Sequence, residues 1–143
     1  MVCAEVLRTL FAGGGSVVVQ VQLRRGDALY VNDGVYGSLS DAGHPGFRFP
    51  ARRVPVDGVS VDGATDSEAK LRAFALYGPT CDSADFMKGP FLLPEDIDEG
   101  DWIELGQLGA YGACLRTRFN GFDTPLTAEV ADPPLLATPG YGG

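Results

Sequence analysis

Histidine is nearly missing from this 143-residue chain. His44 stands alone, so no histidine cluster can hold a metal and no His-Glu-x-x-His helix exists. A serine triad would rest on that single imidazole, without a Gly-x-Ser-x-Gly elbow to present the nucleophile. Lysine is scarce too. Lys70 and Lys88 are the whole supply, neither in a recognisable catalytic setting, which argues against a Schiff base formed within these residues. Cys3, Cys81 and Cys114 are far apart and odd in number, with no Cys-x-x-Cys pair. That pattern disfavours a disulfide framework and a zinc knuckle alike. No apolar run approaches the length of a membrane span. Positive charge is in deficit: 11 Lys+Arg against 19 Asp+Glu leave a net charge of −8. Phosphate backbones and anionic lipid are poor partners for such a chain, so neither nucleic acid nor membrane is expected to bind it. The apolar start, Met1 to Gly15, is interrupted by Glu5 and Arg8 and is not read as a leader. A reducing, cytoplasmic setting is the expectation.

What is present points to a packed β protein. Hydrophobic residues make up 45% and charged residues 21%, the balance of a globular core. Gly 20 and Pro 10 favour many turns and short strands over long helices. Val17 to Leu23 ends in strict alternation, with Val19, Val21 and Leu23 on one side and Gln20 and Gln22 on the other, the pattern of a half-buried strand. Arg24 to Asp27 reads as a turn, Ala28 to Val31 as a second strand, and Asn32-Asp33-Gly34 as another turn; a meander is expected for this region. Phe47 to Val56 is an extended run broken by Pro50 and Pro55, an edge-type strand. Val59 to Val61 is a short strand between Asp-Gly turns, and residues 66–70 offer one helical turn. Leu71–Tyr77, Phe91–Pro94, Trp102–Leu105, Ala113–Phe119 and Thr127–Val130 complete the expected extended segments. Turn spacing predicts an all-β sandwich or barrel of about seven to nine strands.

Two clusters are chemically unusual. In Gly78-Pro79-Thr80-Cys81-Asp82 an apolar strand runs into a rigid turn and then presents a thiol and a carboxylate. A thiol can deliver a proton, and a carboxylate can hold an ammonium group. The same residues also suit a plainer role, with Cys81 a small buried hydrophobe and Asp82 the cap of a turn. The second cluster, Gly106-Gln107-Leu108-Gly109-Ala110-Tyr111-Gly112, lets backbone approach another surface closely and sets a phenol among glycines. It matches no phosphate-loop spacing, and a glycine-rich bulge beside a packed tyrosine fits it as well. The acidic run Glu95, Asp96, Asp98, Glu99 and Asp101 fails the calcium-loop spacing and reads as a solvated face.

Taken in order, Tyr30-Val31-Asn32-Asp33-Gly34-Val35-Tyr36-Gly37-Ser38, Gly78-Pro79-Thr80-Cys81-Asp82, Gly100-Asp101-Trp102, Gly109-Ala110-Tyr111 and Phe119-Asn120-Gly121-Phe122 form a series. It closely resembles the C-terminal β domain of the pyridoxal-phosphate-dependent ornithine/diaminopimelate/arginine decarboxylases, over about residues 5 to 130. The Cys-Asp pair is most similar to the ornithine branch, since diaminopimelate enzymes typically carry Cys-Glu. The resemblance implies a β-sandwich or Greek-key barrel like the C-terminal domain of alanine racemase-like decarboxylases. It also implies an active site shared across a dimer, in which the β domain of one subunit completes the cofactor pocket of another. By that resemblance Cys81 matches the cysteine that reprotonates the decarboxylated carbanion. Asp82 matches the acid that contacts the distal amine, and Asp41 stands for a second amine-binding acid on a shorter loop. Tyr111 matches the tyrosine that bonds the cofactor phosphate, while Tyr36 and Phe119 match aromatic positions near the interface.

Departures accompany the match. Where the family carries Glu-Pro-Gly-Arg at its last barrel strand, this chain has Glu5-Val6-Leu7-Arg8. Glu5 and Arg8, the partners of the pyridine nitrogen and the phosphate, are retained. Residues 1–12 then read as a remnant of the junction with a barrel, 13–131 as the decarboxylase β domain and 132–143 as a loose Pro/Gly-rich tail. The barrel itself, with its Schiff-base lysine and phosphate-binding loop, finds no counterpart. The expected function is the C-terminal domain of an ornithine-type decarboxylase of polyamine synthesis, inactive alone and completed by a barrel-bearing subunit with pyridoxal phosphate. The alternatives are a non-catalytic dimerisation module that docks on a full-length decarboxylase or on itself, and an inactive fragment.

Overall fold

A computed structural model describes residues 12–55, 69–109, 112–122 and 125–139. Its strands are β1 (Val17–Arg25), β2 (Ala28–Val31), β3 (Ala51–Val54), β4 (Leu71–Tyr77), β5 (Phe86–Pro94) and β6 (Trp102–Leu105). They form one sheet in the order β3-β6-β1-β2-β4-β5. Every pairing is antiparallel except β2 with β4. Three short 3-10 turns, Ala12–Gly14, Ser40–Ala42 and Phe119–Gly121, are the only helical pieces among the described residues. The all-β expectation is thus met, with six strands described instead of seven to nine.

Strand β1 joins the two halves of the sheet. Its first residues, Val17 to Gln20, pair with β6, and those from Val21 onward pair with β2. A register shift between Val21 and Leu23 marks the change of partner, and such an irregularity bends a strand and raises its twist. The sheet curls until its two end strands, β3 and β5, lie against each other. Side chains on the inner face fill the resulting half-barrel: Val19 and Val21 from β1, Leu29 and Val31 from β2, Phe74 and Leu76 from β4, and Met87, Phe91 and Leu93 from β5. Ile103 and Leu105 of β6 complete this core. The alternation of Val19 and Val21 against Gln20 therefore selects the buried face as expected, but Leu23 does not follow it: the register shift after Val21 sets it opposite Tyr30, and it is only partly buried. Trp102 and Glu104 share the less buried side of β6 while Ile103 and Leu105 face in, also as expected.

Other expectations are corrected. The first elements do not form a meander. Strand β2 lies beside β4, and β3 crosses to the far edge to pair with β6. A parallel pair cannot be closed by a hairpin, so the long excursion between β2 and β4 carries loops and an end strand. Pro50 and Pro55 flank β3 without interrupting it. Strand β5 begins at Phe86, five residues before Phe91, because the Gly89-Pro90 break is absorbed where the β4–β5 register shifts. Ala113 to Phe119 is not a strand: it consists of turns leading to the 119–121 3-10 turn. Its alternating polar side chains are held by loop contacts instead of a neighbouring strand. Thr127 to Val130 is not a strand either, and Val130 is 70% exposed. The strand expected at 59–61 lies outside the described residues, as does most of the helical turn expected at 66–70. Of the tail, Leu135 is buried, and Gln107 Nε2 donates to the Leu136 carbonyl at 2.8 Å.

Leu76 is fully buried and pairs with Met87 across the β4–β5 register. Leu76→Ala is expected to cost about 2–5 kcal/mol through lost burial and an unfilled cavity, read as a lowered denaturation midpoint in urea with an unchanged slope.

Candidate active-site rim

Three loops meet at one end of the sheet: residues 32–38 after β2, residues 78–85 between β4 and β5, and residues 112–121. The pivot is Asp85, 2% exposed. One carboxylate oxygen, Oδ1, accepts the Val35 N–H at 2.8 Å. The other, Oδ2, accepts the Thr80 N–H at 3.1 Å and the Thr80 hydroxyl at 2.7 Å. Gly78 N–H donates to the Asp85 carbonyl at 2.9 Å, so the 78–85 loop closes on itself. Two glycines make room for this carboxylate. A Cβ on Gly34 would stand 2.1 Å from Oδ1, and one on Gly78 would stand 2.2 Å from both oxygens. The burial of a charge is thereby balanced by donors on both loops, as a buried carboxylate requires.

A second, largely buried carboxylate ties in the third loop. Asp33 Oδ1 accepts the N–H groups of Gly34 and Ser38 at 2.8 and 3.0 Å. Its Oδ2 lies 2.8 Å from Arg116 Nη1 in a pair only 12% and 16% exposed. Arg116 also donates to the Ser38 hydroxyl. Beyond it, Thr117 donates its N–H and its hydroxyl to the Tyr36 carbonyl, both at 2.9 Å. Phe119 then lays its ring against Tyr36, centroids 4.4 Å apart.

These clamps place the residues anticipated from the sequence. Cys81 is exposed with a free thiol, not a small buried hydrophobe. Asp82 is also exposed. Its Oδ1 accepts the Ala84 N–H at 2.8 Å, and its Oδ2 accepts the Tyr36 hydroxyl at 3.0 Å. The Ala84 N–H first, and the Tyr36 hydroxyl second, hold the Asp82 carboxyl below the usual aspartate range, against a smaller effect of burial. A lowered folded value means that the contacts stabilise the fold above the ordinary aspartate value, and that this contribution fades as pH falls through the folded one. The Tyr36 phenol is pushed up, chiefly by donating to Asp82, then by partial burial and by the charges of Asp82 and Asp85. Asp41 sits half-buried on the 40–42 turn, its carbonyl accepting the Phe47 N–H at 2.8 Å. Tyr111, Glu5 and Arg8 lie outside the described residues.

Beside the loop opens a cavity of about 380 Å³ whose lining includes Gln22, Tyr30, Tyr77, Pro79, Asp82 and Asp85. Tyr30 and Tyr77 stack at 4.9 Å, brought opposite each other by the parallel β2–β4 register. Carboxylates and aromatic faces without a lining lysine or arginine suit an organic cation. They do not suit a phosphate. Neither Lys70, paired with Glu95 at 2.9 Å, nor Lys88 lines this cavity, so the cavity does not fit pyridoxal phosphate. No group of three or more potential metal ligands occurs among them. Sequence reasoning missed Asp85, Asp33 and Arg116. Gly34 and Gly78 were the available signal, since paired glycines flanking two loops mark a close approach.

The fold and this rim define a β-sheet domain that presents an exposed thiol and an exposed carboxylate from its loops. The chain belongs to the pyridoxal-dependent decarboxylases, matching the family's C-terminal sheet domain over residues 14–109. It is 39% identical over 99 residues to ornithine decarboxylase of Schizosaccharomyces pombe, covering 66% of this chain and 22% of that protein. With ornithine decarboxylase of Saccharomyces cerevisiae it shares 30% over 135 residues, covering 85% and 28%. Among solved structures, the lysine/ornithine decarboxylase of Vibrio vulnificus complexed with putrescine matches at a TM-score of 0.58 and 31% identity, covering 80% of this chain and 29% of that one. The arginine decarboxylase of Paramecium bursaria Chlorella virus matches at 0.64 and 25%, covering 82% and 30%. The chain therefore spans between a fifth and a third of the length of these relatives.

Asp85→Ala strips the acceptor from two backbone N–H groups and a hydroxyl in one step. At about 1–3 kcal/mol for an orphaned buried donor, a loss of roughly 2–4 kcal/mol is expected by chemical denaturation, with faster alkylation of Cys81 as its loop loosens.

Proposed function

We propose that this chain is the C-terminal domain of an ornithine-type decarboxylase of polyamine synthesis, acting in the cytoplasm at a site shared with a barrel-bearing subunit. The observation that carries this reading is the rim itself: an exposed thiol and an exposed, doubly hydrogen-bonded carboxylate stand side by side next to a cavity suited to a cation. Pyridoxal phosphate, held outside the described residues, supplies the electron sink in the full-length enzymes. Within this chain, the Cys81 Sγ hands its proton to the substrate carbon that has released carbon dioxide, so that a C–H bond replaces the C–C bond. The Asp82 carboxylate receives the distal ammonium of the diamino acid and discriminates against substrates that lack it, because such a substrate leaves the carboxylate without its cation. Tyr36 and Phe119 lie on the side that meets the partner subunit, which is either a full-length decarboxylase or a second copy in a homodimer.

A second reading, a docking module without catalysis, is favoured by the apolar side chains of the 115–130 segment. Leu115 and Phe122 are each 46% exposed, and Leu126 is fully so.

The test is to mix the chain with a lysine-bearing decarboxylase barrel and assay carbon dioxide release from ornithine. Activity that needs both chains is expected. In that mixture Cys81→Ala should lower kcat about 100-fold or more, the usual scale for losing a positioned acid. Folded partners that associate without activity would favour the docking reading, and an unchanged rate in Cys81→Ala would remove the thiol from the mechanism.

A further inference from the structure

Asp82 is separated from Tyr36 by 46 positions in sequence, yet the two form one unit with the third loop. The phenol donates to Asp82 Oδ2 at 3.0 Å, and the Ala84 N–H donates to Oδ1 at 2.8 Å. Each carboxylate oxygen thus holds one neutral donor and keeps a lone pair for a cation. The phenol is not free to swing. Its ring lies against Phe119 at 4.4 Å, and its own carbonyl takes two donors from Thr117. Asp33 and Arg116 hold that same loop down from beneath. An exposed aspartate on a surface turn would otherwise sample several rotamers, and that freedom is lost only when a ligand arrives.

Resting on the reading of Asp82 as the receptor for the distal ammonium, we infer that Tyr36 is a positioning residue. Its hydroxyl aims the Asp82 carboxylate before the substrate enters, and the 116–119 segment sets the aim through Tyr36. Tyr36 need not touch the substrate. Its contribution belongs to recognition of a terminally charged substrate and is absent for one with an uncharged terminus. The chemical step at Cys81 does not use the phenol, whose hydroxyl is committed to Asp82.

The experiment follows the Asp82 carboxyl carbon by NMR in the full chain as pH falls through the acid range. Tyr36→Phe keeps the ring against Phe119 and removes only the donor. Loss of one hydrogen bond to the charged form should raise the proton affinity of Asp82 about threefold, with the amide signals of Thr117 and Phe119 in place. In the assembled decarboxylase the same variant should raise KM for a diamino acid about threefold or more at nearly constant kcat, and leave a monoamino acid unaffected. An unchanged Asp82 titration overturns the inference, as does a KM effect shared equally by the monoamino acid. Asp82→Asn separates the two levels. If it leaves KM for the diamino acid unchanged, the ammonium reading fails, whereas a titration shift in Tyr36→Phe still establishes the coupling between the two side chains.

Discussion

A carboxylate with almost no access to water has to be met by donors, and Asp85 meets its donors on two different loops. One oxygen takes the backbone of Val35, and the other takes both the backbone and the hydroxyl of Thr80. The loop that carries Cys81 and Asp82 is therefore stapled at its base to the loop that carries Tyr36. Without that staple, the exposed turn would have little to order it, since residues 81–84 at its tip are all exposed. Gly34 and Gly78 are consequences of the same constraint, because any side chain at either position would occupy the space of the Asp85 carboxylate.

The sheet makes this convergence possible. Strand β2 runs parallel to β4, so the two strands deliver their C-terminal ends, and the loops that follow, to the same edge of the sheet. The stacked Tyr30 and Tyr77 form one wall of the neighbouring cavity for the same reason. The third loop is drawn in by the ion pair of Asp33 and Arg116, whose partial burial raises the cost of leaving either charge alone. Rigid elements thus support a rim of loops, an arrangement that keeps the apolar core in the half-barrel and leaves Cys81 and Asp82 exposed at its mouth.

Much of this was legible from local pattern. The alternation of Val19 and Val21 with Gln20 identified the buried face of β1, though it fails at Leu23, past the register shift, and the composition pointed to an all-β fold. The order of the Gly-Pro-Thr-Cys-Asp and Asn-Asp-Gly motifs pointed to the decarboxylase family. Pattern failed where polar residues found tertiary partners. Cys114, Arg116 and Arg118 alternate with Ala113, Leu115 and Thr117 as a strand would, yet Arg116 is turned inward by Asp33 and Ser38, not by a neighbouring strand. Strand β5 is legible only in its second half, because Gly89-Pro90 looks like a terminator without its bulged pairing to β4.

Period and turn chemistry are short-range properties, so the chain alone determined the strand-rich class, the apolar faces, and the pairing of a thiol with a neighbouring acid. Which groups meet across the rim is a long-range property. Tyr36 reaches Asp82, Val35 reaches Asp85 and Arg116 reaches Asp33 only because the parallel register and the curled sheet bring distant loops together. Tertiary structure alone decided that the acid would be held, and by what, since hydrogen bonds depend on distance in space and carry no signature in sequence spacing.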